Sequence, residues 1–302
     1  MSEATTVVEA TTTTRAGSSA RAKAGGLMYQ LTRSPSGFAG LILVLVIVIP
    51  GLILPSFIAQ PASNVDEIWL RPGGAHPLGT NGSGQDILQM MLVGGRTVIL
   101  VGFGAAALTT VIAVSLGSLA AYFRGRFDAT MLQITDIVMT IPQIVLLAVM
   151  GAFFNLDSTF ALAVLIGALS WPVLMRSIRA QVLSLREREF VEASRLLDLG
   201  TARIVFGEIV PNMASYILIN FIIAVNGATF ALVGMYLLGL APLKGANWGI
   251  MINDAWMKGA MFNPDAMAYI FAPVTALVLL QLGLIMLSRS LEEILNPRLR
   301  DR

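Results

Sequence analysis

Residues 37–57 read GFAGLILVLVIVIPGLILPSF, 21 residues without a charged side chain. As an α-helix at 1.5 Å per residue this run is about 32 Å long, which matches a hydrocarbon core of about 30 Å. A signal-peptide core of roughly 7 to 15 apolar residues is shorter, and no small-x-small cleavage site follows here, so the run is expected to be a retained transmembrane anchor. The rest of the chain agrees: of 302 residues 56% are hydrophobic and 13% charged, with mean hydropathy +0.76. Soluble domains carry about 25% charged residues.

Outward from the anchor, further apolar runs occupy roughly Thr97 to Phe123, Ala129 to Phe154, Phe160 to Met175, Tyr216 to Leu240 and Ala266 to Leu287, so six transmembrane helices in an all-α polytopic chain are expected. Pro142 and Pro172 are candidate kinks, or mark helix ends. Lysine and arginine are retained on the cytoplasmic side during insertion. With the N-terminus inside, only Arg71, Arg96, Lys244 and Lys258 fall outside, leaving 16 of the 20 basic residues in cytoplasmic segments, and the reverse orientation inverts this ratio. Both termini are therefore expected in the cytoplasm. The layout reads as a disordered tail over 1–36, rich in Thr, Ser, Ala and Gly, an anchor over 37–57 and an external loop over 58–96. A core over 97–290 and a cytoplasmic tail over 291–302 follow.

Composition removes several functions. The net charge is only +2 and basic clusters alternate with apolar runs, so no single basic face exists to track nucleic acid. There is no cysteine, and His76 is the one histidine, in a Gly-rich external segment without ligand spacing, so no metal site is expected. No GxxxxGK[S/T] phosphate loop occurs, so the chain itself is expected to bind neither nucleotide nor other cofactor. The spans offer no Ser/Lys pair, HExxH or Asp pair for an intramembrane enzyme, and no filter or charged ring for a channel, the two alternatives considered.

The longest polar cytoplasmic stretch, Arg176 to Pro211, reads RSIRAQVLSLREREFVEASRLLDLGTARIVFGEIVP. Good helix formers run from Ser184 to Leu197, and Leu185, Phe190, Ala193, Leu196 and Leu197 recur as an apolar stripe, with Arg186, Glu187, Arg188, Glu189 and Arg195 elsewhere. An amphipathic helix at about 185–200 is expected, stopped at Gly200, with a second short piece running to Pro211. Such a helix either lies in the bilayer interface or serves a partner.

Glu192-Ala193-Ser194, with Pro211 nineteen residues after the glutamate, resembles the EAA motif of binding-protein-dependent ABC importer permeases. The third position is Ser194, and Asp198 stands where the motif has glycine, so either the helix ends a turn later than in the motif or Asp198 takes the left-handed conformation that Asn and Asp tolerate better than most residues. The stretch His76-Pro77-Leu78-Gly79-Thr80-Asn81-Gly82-Ser83-Gly84-Gln85-Asp86 resembles the HPLGTD-x-x-GRD segment of the C-type second permease in the peptide, nickel and oligosaccharide group, with Asn81 and Gln85 replacing Asp and Arg. Ser184 to Phe190 and Leu291 to Arg298 also resemble that group, so the likeness covers roughly residues 37 to 300.

The resemblance implies an inner-membrane permease subunit with an anchor plus a five-helix core. It implies a second homologous permease, two ATPase subunits that bind ATP and Mg, an extracytoplasmic substrate-binding protein and surrounding membrane lipid. It places the contact with an ATPase on Arg188, Glu189, Phe190, Glu192, Ala193, Ser194, Leu197, Asp198, Gly200 and Pro211. Candidate translocation-path residues are Asp136, which either lines the path or forms a structural hydrogen bond near its cytoplasmic end, and Asn220 and Asn226, which either line the path or bond between helices. The segment Ala241 to Asp265 is an expected contact for a binding protein through Trp248, Asn253, Asp254 and Trp256, although an aromatic-belt role also suffices for Trp248. Related permeases often carry Glu where this chain has Leu232, which leaves oligopeptide and oligosaccharide substrates both open.

Overall fold

A computed structural model describes residues 30–154, 156, 158–241 and 245–295. Most of the expected tail, residues 1–29, and the C-terminal residues 296–302 lie outside these. Residues 30–33 are already helical, and residues 291–295 continue the last helix rather than starting a tail.

Every regular element among the described residues is a helix. α1 (Pro35–Ile53) is the anchor; its N-cap Ser34 accepts from the Gly37 N–H at 3.0 Å. α2 (Ile87–Phe123) begins well before the expected Thr97, because Asp86 caps it by accepting from the Gln89 N–H at 2.8 Å. α3 (Gly125–Thr140) and α4 (Gln143–Phe153) are one apolar run bent by 86°. The bend falls at Pro142, which lacks an N–H and forces Ile141 into extended backbone (φ −90°, ψ 126°). Pro172, by contrast, sits buried inside the continuous α5 (Thr159–Leu185).

α6 (Glu189–Leu196) is a short surface helix, followed by a π-helical turn (Arg203–Ile209), α7 (Ala214–Leu237), α8 (Trp248–Met257) and α9 (Met267–Leu295). Five helical stretches are long and apolar enough to span a membrane, and the bent α3–α4 pair can make a sixth.

Small residues set the helix spacing, as expected where lipid supplies no hydrophobic drive between helices. On α2 and α5, a Cβ on Gly117 would lie 2.7 Å from the Met175 carbonyl oxygen, and one on Gly167 would lie 2.8 Å from that of Ala105. Thr109 donates to the Gly167 carbonyl across this interface (3.1 Å). The anchor docks on α9 in the same manner, with Gly40 against the Gly283 carbonyl and the Ser34 and Ser290 hydroxyls 2.6 Å apart. One apolar core fills the bundle between α2, α5, α7 and α9. A second, around Met175, Ile178, Val182, Val191 and Ile204, lies at the arginine-rich end, which the distribution of basic residues assigns to the cytoplasm.

Candidate functional site

At the cytoplasmic end, α5 stops at Leu185 and the chain turns through residues 186–188 before α6. The helix expected over about 185–200 is therefore shorter, Glu189–Leu196, and separated from α5 by a turn. The Arg186 side chain donates through Nη1 to the carbonyl oxygens of Ala121 (2.8 Å) and Tyr122 (2.9 Å), satisfying groups that the last turn of α2 leaves unpaired. Arg195 on α6 lies over the Tyr122 ring, 5.5 Å from its centroid. Glu187 accepts from both Arg124 (3.0 Å) and Arg186 (3.1 Å). The root of α6 is thus fastened to the end of α2.

The inward face of α6 is Val191, fully buried, and Ser194, whose hydroxyl donates to the Phe190 carbonyl (2.8 Å), with Phe190 partly buried beside them. This corrects the expected stripe: Leu196 and Leu197 are 84% and 74% exposed and point away from the chain's own core. Arg188, Glu189, Glu192 and Ala193 are exposed alongside them. The turn that ends α6 sits on Asp198 and not on Gly200. Asp198 has φ 52°, its N–H bonds to the Arg195 carbonyl (2.9 Å), and the Leu199 N–H bonds back to Ser194 (3.2 Å). That pair of bonds is a Schellman motif with aspartate in the left-handed position. Gly200 instead starts the next turn, accepting from the Arg203 and Ile204 N–H groups. Pro211 lies in the short helical turn Val210–Asn212 that leads into α7.

Two arginines of α5 hold α3. Arg179 donates to both carboxylate oxygens of Asp128 (2.5 and 2.6 Å), largely out of solvent, and Arg176 donates to Thr135 (3.1 Å) and to Asp136. Asp136 is thus an ion-pair partner at the α3–α5 contact, with its side chain 65% exposed.

A cavity of about 210 Å³ opens where α2, α4, α5 and α7 meet, lined by Thr109, Gln143, Ser170, Ser177 and Asn220 among apolar neighbours. Gln143 donates to Ser170 (2.7 Å), and Asn220 donates to the Tyr216 carbonyl (2.9 Å). Asn226 is not among the lining residues; its Oδ1 is buried without a partner among the described residues. Sequence reasoning missed Gln143 and Ser170, although each is a hydrogen-bonding side chain inside an apolar run.

On the opposite face, residues 58–86 fold over the bundle. Asn81 is buried, accepts from the Ser83 and Gln85 N–H groups (both 2.9 Å) and donates to the Gln85 side-chain oxygen (3.0 Å). His76 lies between Asp86 (Nδ1 to Oδ2, 2.7 Å) and Glu67 (3.4 Å). The hydrogen bond to Asp86 raises the His76 pKa above its ordinary 6.5. No group of metal-ligating side chains occurs among the described residues.

The segment Ala241 to Asp265, expected as a loop, contains α8. Trp248 is 3% exposed and donates to the Met91 carbonyl (2.8 Å), so it belongs to the core and not to a docking surface. Asn253 donates to the Leu237 carbonyl (2.9 Å), and Asp254 takes a hydrogen bond from Tyr269 (3.0 Å) and pairs with Lys258 (3.1 Å). Trp256 is 66% exposed, with Met257 and Phe262 also exposed.

Residues 113–301 match the family described as the binding-protein-dependent transport system inner membrane component. The chain is 29% identical over 279 residues to the oligopeptide transport system permease protein OppC of Mycobacterium tuberculosis (strain ATCC 25618 / H37Rv), covering 91% of this chain and 94% of the relative. It is 31% identical over 262 residues to a putative peptide permease protein of Brucella suis biovar 1 (strain 1330), covering 86% of each. OppC of Bacillus subtilis (strain 168) is 29% identical over 279 residues, 90% of this chain and 89% of the relative. An all-helical bundle with five or six apolar spans and a match of this extent lead to one conclusion: the chain belongs to the inner-membrane permease family of binding-protein-dependent importers, as a multi-pass, non-catalytic transport subunit.

Proposed function

We propose that the chain forms half of a translocation path for oligopeptides and that α6 is the element that docks on an ATPase subunit. The observation that carries this reading is the exposure of Leu196 and Leu197 on a helix whose other face is buried in the cytoplasmic-end core with the Arg203–Ile209 turn, α2 and α5. Fully covering a leucine side chain is worth roughly 1.5 to 3 kcal/mol, so a partner surface with an apolar cleft gains by closing over this pair. Ala193, exposed between them and Glu192, lets such a surface approach closely. Because Arg186 and Arg195 fasten α6 to α2, closure of nucleotide-bound ATPases moves α6, α2 and α5 as one body and changes the access of the path. In this reading ATP and Mg belong to two ATPase subunits, a second homologous permease supplies the other half of the path, and an extracytoplasmic binding protein delivers substrate.

The relatives' names favour peptide over oligosaccharide. The neutral amide and hydroxyl groups of Gln143, Ser170 and Asn220 suit a peptide backbone of any sequence. Leu232 is fully buried in the chain's own core and does not line the cavity, so the acid it replaces in related permeases does not separate the two substrates here. Uptake by the complete complex in liposomes tests the reading. ATP-dependent accumulation of short peptides, reduced severalfold by Asn220→Leu with Gln143→Leu, is the expected result. Accumulation of oligosaccharides alone, or uptake without ATP, overturns it.

A further inference from the structure

α3 is fastened to the bundle largely by polar groups. Among the described residues its buried side chains are Asp128 and Thr135, while Ile134, Ile137, Met139 and the adjoining Ile141 are exposed. Few buried apolar contacts mark a segment of low local stability. The helix also has a joint at each end. Arg124 has φ 57° and ψ −160°, a combination that almost only glycine adopts, and Gly125 follows at φ 61°. A Cβ on Gly125 would meet no described atom within 4 Å, so the joint is uncrowded. At the other end stands the 86° break at Ile141 and Pro142.

The two ion pairs from α3 to α5 differ in kind. Arg179–Asp128 lies one turn from the joint and is mostly withdrawn from solvent, so breaking it would strand a charge. Asp136 lies about 16 Å along the helix from Gly125 at 1.5 Å per residue. Solvent reaches both Asp136 and Arg176, so these two charges return to water when the pair parts. The first pair has the character of an axle and the second that of a latch.

The latch sits at the end of a cavity. A space of about 200 Å³, lined by Met139, Pro142, Gln143, Ser170, Pro172 and Val173, shares Gln143, Ser170 and Val173 with the cavity proposed for substrate. Asp136 is one helical turn to the cytoplasmic side of Met139, and Arg176 is one turn to the cytoplasmic side of Val173. The pair therefore joins the two walls of this space at their cytoplasmic end. Arg124 also donates to Glu187 (3.0 Å) at the root of α6, so a displacement of α6 bears on the joint directly.

Resting on the translocation path proposed above, we infer that α3 is a gate arm at its cytoplasmic end, turning on Arg124–Gly125 and latched to α5 by Asp136 and Arg176. When α2, α5 and α6 move as one body, α3 is the wall that parts from them. A rotation of about 15° at the joint carries Asp136 about 4 Å at that radius, enough to separate an ion pair.

The test uses the complete complex in liposomes, where the lack of cysteine in this chain lets a defined pair be introduced. Asp136→Cys with Arg176→Cys is bridged by a bis-methanethiosulfonate reagent, and ATP-driven uptake of trialanine is compared with the unbridged variant. Bridging should lower uptake roughly tenfold or more, and reductant should restore it, which shows that the bridged chain is folded. Asp136→Asn should lower the peptide moved per ATP hydrolysed severalfold, and the exchange Asp136→Arg with Arg176→Asp should recover it. Two results overturn the inference: undiminished uptake by the bridged complex, or Asp136→Asn lowering melting temperature and uptake with peptide per ATP unchanged, as a static contact would. An unmodified complex that takes up no peptide with ATP overturns the transport reading itself, and the gate falls with it.

Discussion

Arg186 donates a hydrogen bond of 2.8 Å to the carbonyl oxygen of Ala121, so the first residue after α5 closes the last turn of α2. Hydrogen bonds to a charged group contribute about 1.5 to 3 kcal/mol each, and only 13% of this side chain is exposed. Arg186→Ala should therefore lower the stability of the chain by about 2 kcal/mol and loosen α6 from the bundle. Arg186→Lys, which lacks the planar fork, should recover only part of it. Thermal unfolding of the purified complex, with proteolysis near residues 186–188, reads both effects.

Asp198 closes α6 in a left-handed conformation that glycine adopts without a Cβ penalty. Asp198→Gly should match or exceed the wild type in stability, whereas Asp198→Val should lose about 1 to 2 kcal/mol, because a β-branched residue is poorly tolerated there. Equal melting temperatures for the two variants would remove the Schellman turn from the account.

The Arg179–Asp128 pair is bidentate and mostly withdrawn from solvent, at 22% and 12% side-chain exposure. Removing one charge leaves the other unpaired, so Asp128→Asn should destabilise more than the double replacement Asp128→Leu with Arg179→Met. A double-mutant cycle on unfolding in detergent measures the difference directly.

His76 gives the external loop a pH dependence whose sign follows from its raised pKa. Its folded value lies above the ordinary 6.5, so its contribution is fully present below pH 6.5 and is lost as pH rises through that higher value. Amide exchange in residues 58–86 should quicken over that window beyond the intrinsic pH effect, and His76→Gln should abolish the extra dependence.

Much of the membrane layout was legible because a hydrocarbon-spanning helix writes itself as a run of about 20 apolar residues. The run 37–57 and the prolines at 142 and 172 could be located, but which proline bends the chain could not. Pro172 is buried inside a continuous helix, whereas Pro142 stands in the break between two. The start of α2 was misplaced because Asp86 caps a helix whose first turns carry mixed residues, hiding the boundary from hydropathy. On α6 the amphipathic stripe was read in the wrong phase, since exposed leucines and a buried serine invert the usual rule that apolar faces point inward. Trp248 was assigned to the surface by its place in the sequence, and only the Met91 carbonyl it reaches shows otherwise.

The central claim is that α6 docks on an ATPase subunit, and the absence of cysteine from the chain makes a single-site test clean. Ala193→Cys, exposed beside Leu196 and Leu197, would be introduced into the complete complex and oxidised against cysteines placed around the apolar cleft of the ATPase. A disulfide forming in high yield, together with loss of the ATPase but retention of the second permease on purification of Ala193→Arg, is the predicted result. No cross-link from any position on α6, with an ATPase that co-purifies undiminished with Ala193→Arg, would contradict the account.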